Sequence, residues 1–359
     1  MISNAKEKKI VFFWGDGMGE TTHMNTSLEK AKTPNMDLLF QNSTSGFYLP
    51  ILTPNSTTPK TDIVIPYMYF LSPEEYVGRA ALDLIDSGKQ IPLGTWVGSF
   101  RLVYNEDSND KLSINTTKVL LEKIHKVSEA VVLSCPTSSH NNIFALICSD
   151  RSILEEQLEK IIIFFNLMGM EITQVEVHQT KQVTSPLKDA LYFLGWGKGS
   201  LRGVFRMISS GVNEFTPKRY CFEEYYSNLE LLQKTSLRLI INSHDVLVFY
   251  IKETDSASHL GSQKLKVRAI ETLDWIIGQV IPFLPLDSRI VVLADHPTNI
   301  GSPNSISAPA PFMFADILEL SSGTQLHFCE QAIAQNTQYV FPISMDVLRT
   351  QIFSYLYHD

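Results

Sequence analysis

Three short, wholly apolar runs constrain this chain most: Ile10–Trp14, Val246–Ile251 and Ile290–Ala294. An apolar run without alternation has no solvent face. It reads as a strand covered on both sides, the pattern of a parallel sheet with helices on each face. Each run meets an acid within a few residues. Gly15-Asp16-Gly17 follows the first, Lys252-Glu253-Thr254-Asp255 the second, and Asp295-His296 comes directly after the third. Loops leaving the carboxyl ends of strands line the ligand crevice of an open α/β sheet, so the three acids are expected to meet at one place. The alternative for any single Asp is a plain helix cap.

Helical patterns lie between these strands. Over 264–280, Leu265, Ala269, Leu273, Ile276, Ile277 and Val280 fall on one stripe; Val347, Leu348, Ile352 and Leu356 repeat it after Ser344 as N-cap. Both stripes read as core. The middle of the chain carries elements of its own: a helix near 117–127, strands near 130–133 and 143–147, and a helix over 152–168. The expected architecture is α/β: a parallel-sheet domain split in sequence, 1–111 and 244–359, with a smaller α/β cap inserted over 112–243.

With 359 residues, 44% of them hydrophobic and 19% charged, the chain has enough apolar surface for a sizeable core. Its formal charge of −8 argues against general affinity for nucleic acid or anionic membrane, both of which want a basic surface. An anionic ligand would then need positive charge supplied locally, by a few side chains or a metal. Cys135, Cys148, Cys221 and Cys329 show no CxxC spacing, which points to a reduced, cytoplasmic setting. No apolar run approaches the roughly 20 residues of a membrane span, so a soluble protein is expected.

The chemistry-bearing residues suit a divalent metal. Asp255 and His259, four apart, share one face of a helix and offer a hard oxygen beside an imidazole. Asp295-His296 is a second half-site, and Asp16 stands between glycines that permit close approach. A dinucleotide loop at Gly15-Asp16-Gly17-Met18-Gly19 is disfavoured, because its fingerprint needs glycine where Glu20 stands. The remaining histidines, His140 among them, have no partner spacing.

The order of these pieces resembles one family. Asp16-Gly17, Lys32-Thr33-Pro34-Asn35-Met36-Asp37, Tyr76-Val77-Gly78-Arg79, Trp196-Gly197-Lys198-Gly199, Thr254-Asp255 to His259, Ala269-Ile270-Glu271 with Asp274, Asp295-His296 and Pro309-Ala310-Pro311 follow the pattern of the archaeal-type cofactor-independent phosphoglycerate mutases, in the alkaline phosphatase superfamily. The resemblance implies a small phosphorylated substrate and one or two divalent ions, manganese, zinc or magnesium. It implies Thr61, in Lys60-Thr61-Asp62, as the nucleophile that takes the phosphoryl group, where the bland alternative is a turn threonine. It further implies that Asp16, Thr61, Asp295 and His296 hold one ion, and Asp255 and His259 the other. A third imidazole is expected four residues before Pro309, where this chain has Ser305. The family's clamping arginines fall near Ser99, Thr116-Thr117 and His140-Asn141, which leaves Arg79, Lys198 and Lys218 as anion contacts; Arg79 could equally brace its loop. Loss of the clamp opens two alternatives to a mutase: a phosphatase or related ester hydrolase, and a catalytically degenerate metal- or ligand-binding homologue.

Overall fold

The computed structural model describes residues 8–22, 24–52, 57–103, 119–120, 122–124, 131–134, 143–183, 185–196, 199–209, 211–215, 220–320 and 326–357. The chain divides into two compact units, each discontinuous in sequence: 1–70, 185–197 and 209–359 form the first, 71–184 and 198–208 the second.

Among the described residues of the first unit, eight strands make one sheet. They are β1 (Lys9–Gly15), β2 (Thr44–Leu49), β7 (Leu191–Trp196), β8 (Gly211–Phe215), β9 (Val246–Ile251), β10 (Ser288–Ala294), β11 (Ala310–Asp316) and β12 (Ile343–Ser344), in the order β12-β2-β11-β10-β1-β9-β7-β8. The three apolar runs are its centre. β1 pairs in parallel with β10 on one side and β9 on the other, and Val11, Phe12, Phe13, Val248, Val291 and Val292 are buried. Gly15 lies opposite both Ala294 and Ile251. Parallel pairing in that register makes the residues that follow, Asp16, Asp295 and the Lys252–Asp255 stretch, leave the sheet side by side.

Helix Gln263–Val280 covers this sheet with Ala269, Leu273, Ile276, Ile277 and Val280 of the expected stripe; Leu265 is only partly buried, Ile270 joins the buried face, and Lys266 and Asp274 are buried too. Asp274 is a staple. Its Oδ1 accepts the Met36 N–H at 2.7 Å, its Oδ2 accepts Asn35 Nδ2 at 2.9 Å, and Asn35 Nδ2 also donates to the Asp274 carbonyl at 3.1 Å. Burial pushes its carboxyl up to about 6. The Pro34–Phe40 helix is thereby fixed to the longer one.

In the second unit, β3 (Trp96–Val103), β4 (Val131–Ser134), β5 (Ile143–Cys148) and β6 (Glu171–Gln179) form an antiparallel sheet in the order β4-β5-β3-β6. Helix Arg151–Leu167, N-capped by Asp150, lays Leu154, Leu158, Ile161 and Phe165 against Phe100, Phe144 and Leu146. Arg202 forks onto Asp86, tying helix Gly199–Ile208 to helix Arg79–Asp86. This division differs from the 112–243 span expected for a cap. β7 hydrogen-bonds to β9 and β8 to β7, so 191–196 and 211–215 belong to the large sheet, whereas 71–103 pack with the small one.

The Asp274 staple generates a stability prediction. A Cβ at Gly278 would lie 2.6–2.8 Å from the Asn35 side-chain amide, which its hydrogen bonds hold in place. Gly278→Ala should gain about 1 kcal/mol of helix propensity and lose more, roughly 2–3 kcal/mol, to overpacking and a broken bond. A lower thermal midpoint than the parent is expected in calorimetry; an unchanged or higher one would mean that the staple yields freely.

Candidate metal centre

The carboxyl ends of β1, β9 and β10 assemble one polar cluster in an otherwise apolar interior. Asp16, 1% exposed, receives the Thr61 hydroxyl on Oδ1 at 3.2 Å and the Tyr250 hydroxyl on Oδ2 at 2.5 Å. The Asp16 backbone is held too: its N–H donates to Ile251 O at 3.0 Å, and its carbonyl accepts the Thr254 hydroxyl. Gly17 adopts φ +58°, and a Cβ there would fall 2.6 Å from Thr298 Oγ1 and 2.7 Å from Asp255 Oδ1. This is the close approach that the flanking glycines permit.

Asp295 is fully buried. Its Oδ1 accepts the Gly17 and His296 N–H groups at 2.9 and 3.0 Å, while Oδ2 is without a hydrogen-bond partner. His296 Nε2 lies 3.3 Å from Asp16 Oδ1, 3.4 Å from Asp295 Oδ2 and 3.5 Å from Thr61 Oγ1. Its Nδ1 faces the Thr298 hydroxyl at 3.1 Å and the Pro297 carbonyl at 3.3 Å, which orients the ring and leaves Nε2 to the carboxylates.

Asp255 and His259 lie on helix Glu253–His259, one turn apart, with His259 Nε2 3.2 Å from Asp255 Oδ1. His259 Nδ1 is 2.7 Å from the Ser302 carbonyl, so that nitrogen carries the hydrogen and Nε2 is the inward one. Thr298 bridges the halves by donating to Asp255 Oδ1 at 3.0 Å. Ser305 sits 3.3 Å from His296 Nε2, placing a hydroxyl where the resemblance expects an imidazole. One donor atom each of Asp16, Asp255 and His296 lie within 4.8 Å of one another.

The electrostatics are those of a crowded acidic pocket. Burial, reinforced by Asp16, pushes the Asp295 carboxyl up to about 7 against the pull of His296. Burial works against a charged His296, but the Asp295 and Asp16 carboxylates prevail and hold its pKa at about 9. Asp255 is held well below the usual carboxylate range: burial opposes this, and the His259 hydrogen bond and the His296 charge outweigh it. The unpartnered Asp295 oxygen and a donor set of hard oxygens with imidazole fit a divalent cation.

Comparison with known proteins gives the same chemistry a lineage. Residues 198–311 match the metalloenzyme superfamily model, a span that includes Asp255, His259, Asp295 and His296. The 2,3-bisphosphoglycerate-independent phosphoglycerate mutase of Sulfolobus acidocaldarius is 24% identical over 86% of this chain and 88% of its own. The mutase of Methanothrix thermoacetophila is also 24% identical, over 86% and 90%. The chain is thus similar to these archaeal-type mutases over most of its length. Two solved structures share its fold: the PH0037 protein of Pyrococcus horikoshii, with TM-score 0.67 and 19% identity over 97% of both chains, and the cofactor-independent phosphoglycerate mutase of Thermoplasma acidophilum, with TM-score 0.55 and 16% identity over 97% and 99%.

The anion contacts expected from sequence are dispersed. Lys198 and Lys218 lie outside the described residues, as do Thr116, Thr117, His140 and Asn141. Arg79 opens the helix Arg79–Asp86 in the second unit. Ser99, where the family's strand arginine was sought, is buried, but the same strand carries Arg101 two residues on. Arg101 Nε is buried and unbonded, and burial together with the neighbouring Arg79 charge lowers its pKa. Three further residues escaped sequence reasoning. Tyr250 stands in a strand buried on both faces, where alternation carries no signal. Thr298 lies two residues beyond His296, and Arg101 two beyond Ser99, with no local pattern to mark either.

Two solution results follow for the centre. Manganese at about 100 times its Kd should stabilise the protein by roughly 2.7 kcal/mol, and Asp295→Ala should abolish that shift in a thermal melt. His296 keeps its proton below about pH 9 and must lose it to donate a lone pair, so affinity should rise with pH. Calorimetry at pH 7.5 in buffers of different ionisation enthalpy should show at least about one proton released per ion, because Asp295 and His259, whose pKa values are also raised, add to His296; zero release would contradict a ligand role for His296.

Proposed function

We propose that this chain is a metal-dependent phosphoryl-transfer enzyme, with Thr61 as the nucleophile and Asp16, Thr61, Asp295, His296, Asp255 and His259 as the donors to one or two divalent ions. The observation that carries the reading is the Thr61 hydroxyl, buried at the start of helix Thr61–Met68, donating to Asp16 Oδ1 at 3.2 Å with His296 Nε2 at 3.5 Å. A turn threonine has no need of such company. A divalent ion in this donor set supplies positive charge to the phosphoryl oxygens and favours the ionised form of the hydroxyl.

The chain's own groups supply the rest. Thr61 Oγ1 bonds to phosphorus as the ester P–O bond breaks in line; its proton passes to Asp16 Oδ1, to which the hydroxyl already donates, and on to the departing alcohol oxygen. Tyr250 and Thr298 keep Asp16, Asp255 and His296 oriented through the change in charge. The phosphothreonine is then passed to a second hydroxyl, as in a mutase, or to water. Arg79 stays in the proposal as an anion contact, as the resemblance implies. Lys198 and Lys218 remain in the proposal on the resemblance alone. The free thiols of Cys148, Cys221 and Cys329 accord with a cytoplasmic setting.

A specific observation favours hydrolysis as a second reading. Ser305 stands beside His296 where the resemblance implies an imidazole donor, and the sequence lacks arginine at the positions of the family's clamp, which would leave the phosphothreonine open to water. Assays with 3-phosphoglycerate and p-nitrophenyl phosphate distinguish the outcomes. Thr61→Ala should lose at least ~10³-fold in either activity while still binding manganese; a variant as active as the parent would remove Thr61 from the mechanism.

A further inference from the structure

The buried face of helix Gln263–Val280 begins with a charge. Lys266 heads the stripe that continues through Ala269, Ile270 and Leu273, where the helical period calls for an apolar residue, and it is fully enclosed, at 0% exposure. Its ammonium donates to the Thr298 carbonyl at 2.7 Å and the Gly19 carbonyl at 3.3 Å, with Glu20 Oε1 at 3.6 Å. Those carbonyls belong to the loops after β10 and β1. The first loop carries Asp295 and His296, the second Asp16.

The loops also meet directly. Thr298 N–H donates to Gly19 O at 2.9 Å, so that carbonyl serves both the neighbouring loop and the ammonium. From Thr298 the connection continues through its hydroxyl to Asp255 Oδ1 and His296 Nδ1. One side chain thus fixes a junction from which donors at all three strand ends are held. Enclosing an ammonium is costly, and methionine would fill the same length of space without that cost. A lysine here breaks the local pattern in favour of something the helix packing does not need.

We propose that Lys266 is a positioning residue for the metal centre: by tying the Gly19 and Thr298 carbonyls together it holds the β1 and β10 loops at the spacing at which Asp16, Asp295 and His296 share a cation. This rests on the reading that the cluster binds a divalent ion. Glu20 and Glu330 complete the support, since Glu20 Oε1 accepts the Ser27 N–H at 2.9 Å and Glu330 accepts the Glu20 N–H at 3.0 Å, which anchors the far end of the β1 loop.

The test measures manganese binding by titration calorimetry, and melting in EDTA, for the parent, Lys266→Met and Lys266→Arg. Lys266→Met should melt in EDTA close to the parent yet bind manganese about 10-fold more weakly, with Lys266→Arg recovering part of the loss. Equal affinity in parent and Lys266→Met overturns the proposal. So does an affinity loss matched by a fall in the EDTA melting temperature that Lys266→Arg does not repair, because that is a packing role alone. Should Lys266→Met fail to fold, Lys266→Gln decides: affinity within about twofold of the parent overturns the proposal, and a loss near 10-fold supports it. A parent that binds no manganese sinks the underlying metal reading instead, a result the variants cannot mimic.

Discussion

The convergence of three carboxylates at the ends of adjacent parallel strands is the constraint on which the rest of this structure depends. Asp16, Asp255 and Asp295 are brought together because β1 lies between β9 and β10 in a register that ends all three strands at one level. Like charges enclosed in an apolar interior repel and lose hydration, so the arrangement persists only where positive charge meets them. His296 meets part of that demand, as its raised pKa shows. The orphan oxygen of Asp295 marks what remains for a cation.

Around that constraint the protein builds two kinds of support. Hydroxyls aim the carboxylates: Tyr250 on Asp16, Thr298 on Asp255, and Thr61 on Asp16. Backbone groups hold the loops, with Gly17 and His296 donating to Asp295 and the Ser302 carbonyl fixing His259. Both kinds leave lone pairs turned inward instead of consuming them. Similarity to the archaeal-type mutases fits this pattern, and the serine at 305 is where the pattern departs from what the resemblance implies.

Much of the centre was legible because its chemistry is local. An acid directly after an apolar run, a histidine next to or one turn from an acid, and glycines on both sides of Asp16 are short-range features with short-range physical reasons. The supports were not legible. Tyr250 lies in a strand with no exposed face, so no periodicity marks its hydroxyl, and Lys266 interrupts a stripe that otherwise reads as core. Nor was the register shift of β3 against β6 between Ser99 and Arg101 legible, since strand pairing leaves no mark in the residues of one strand.

By itself the sequence determined which segments are buried strands and helices and which residues bring metal chemistry, because periodicity and residue type act within a few positions. The tertiary structure alone decided that β7 and β8 join the large sheet while 71–103 pack with the small one. It alone set the register that aligns Asp16 with Asp295, and chose Tyr250, Thr298 and Lys266 as partners. Those outcomes come from contacts between segments distant in sequence, from Thr298 with Asp255, 43 residues apart, to Lys266 with Gly19, 247 apart. Local pattern carries no trace of a contact whose two halves meet only when the sheet closes.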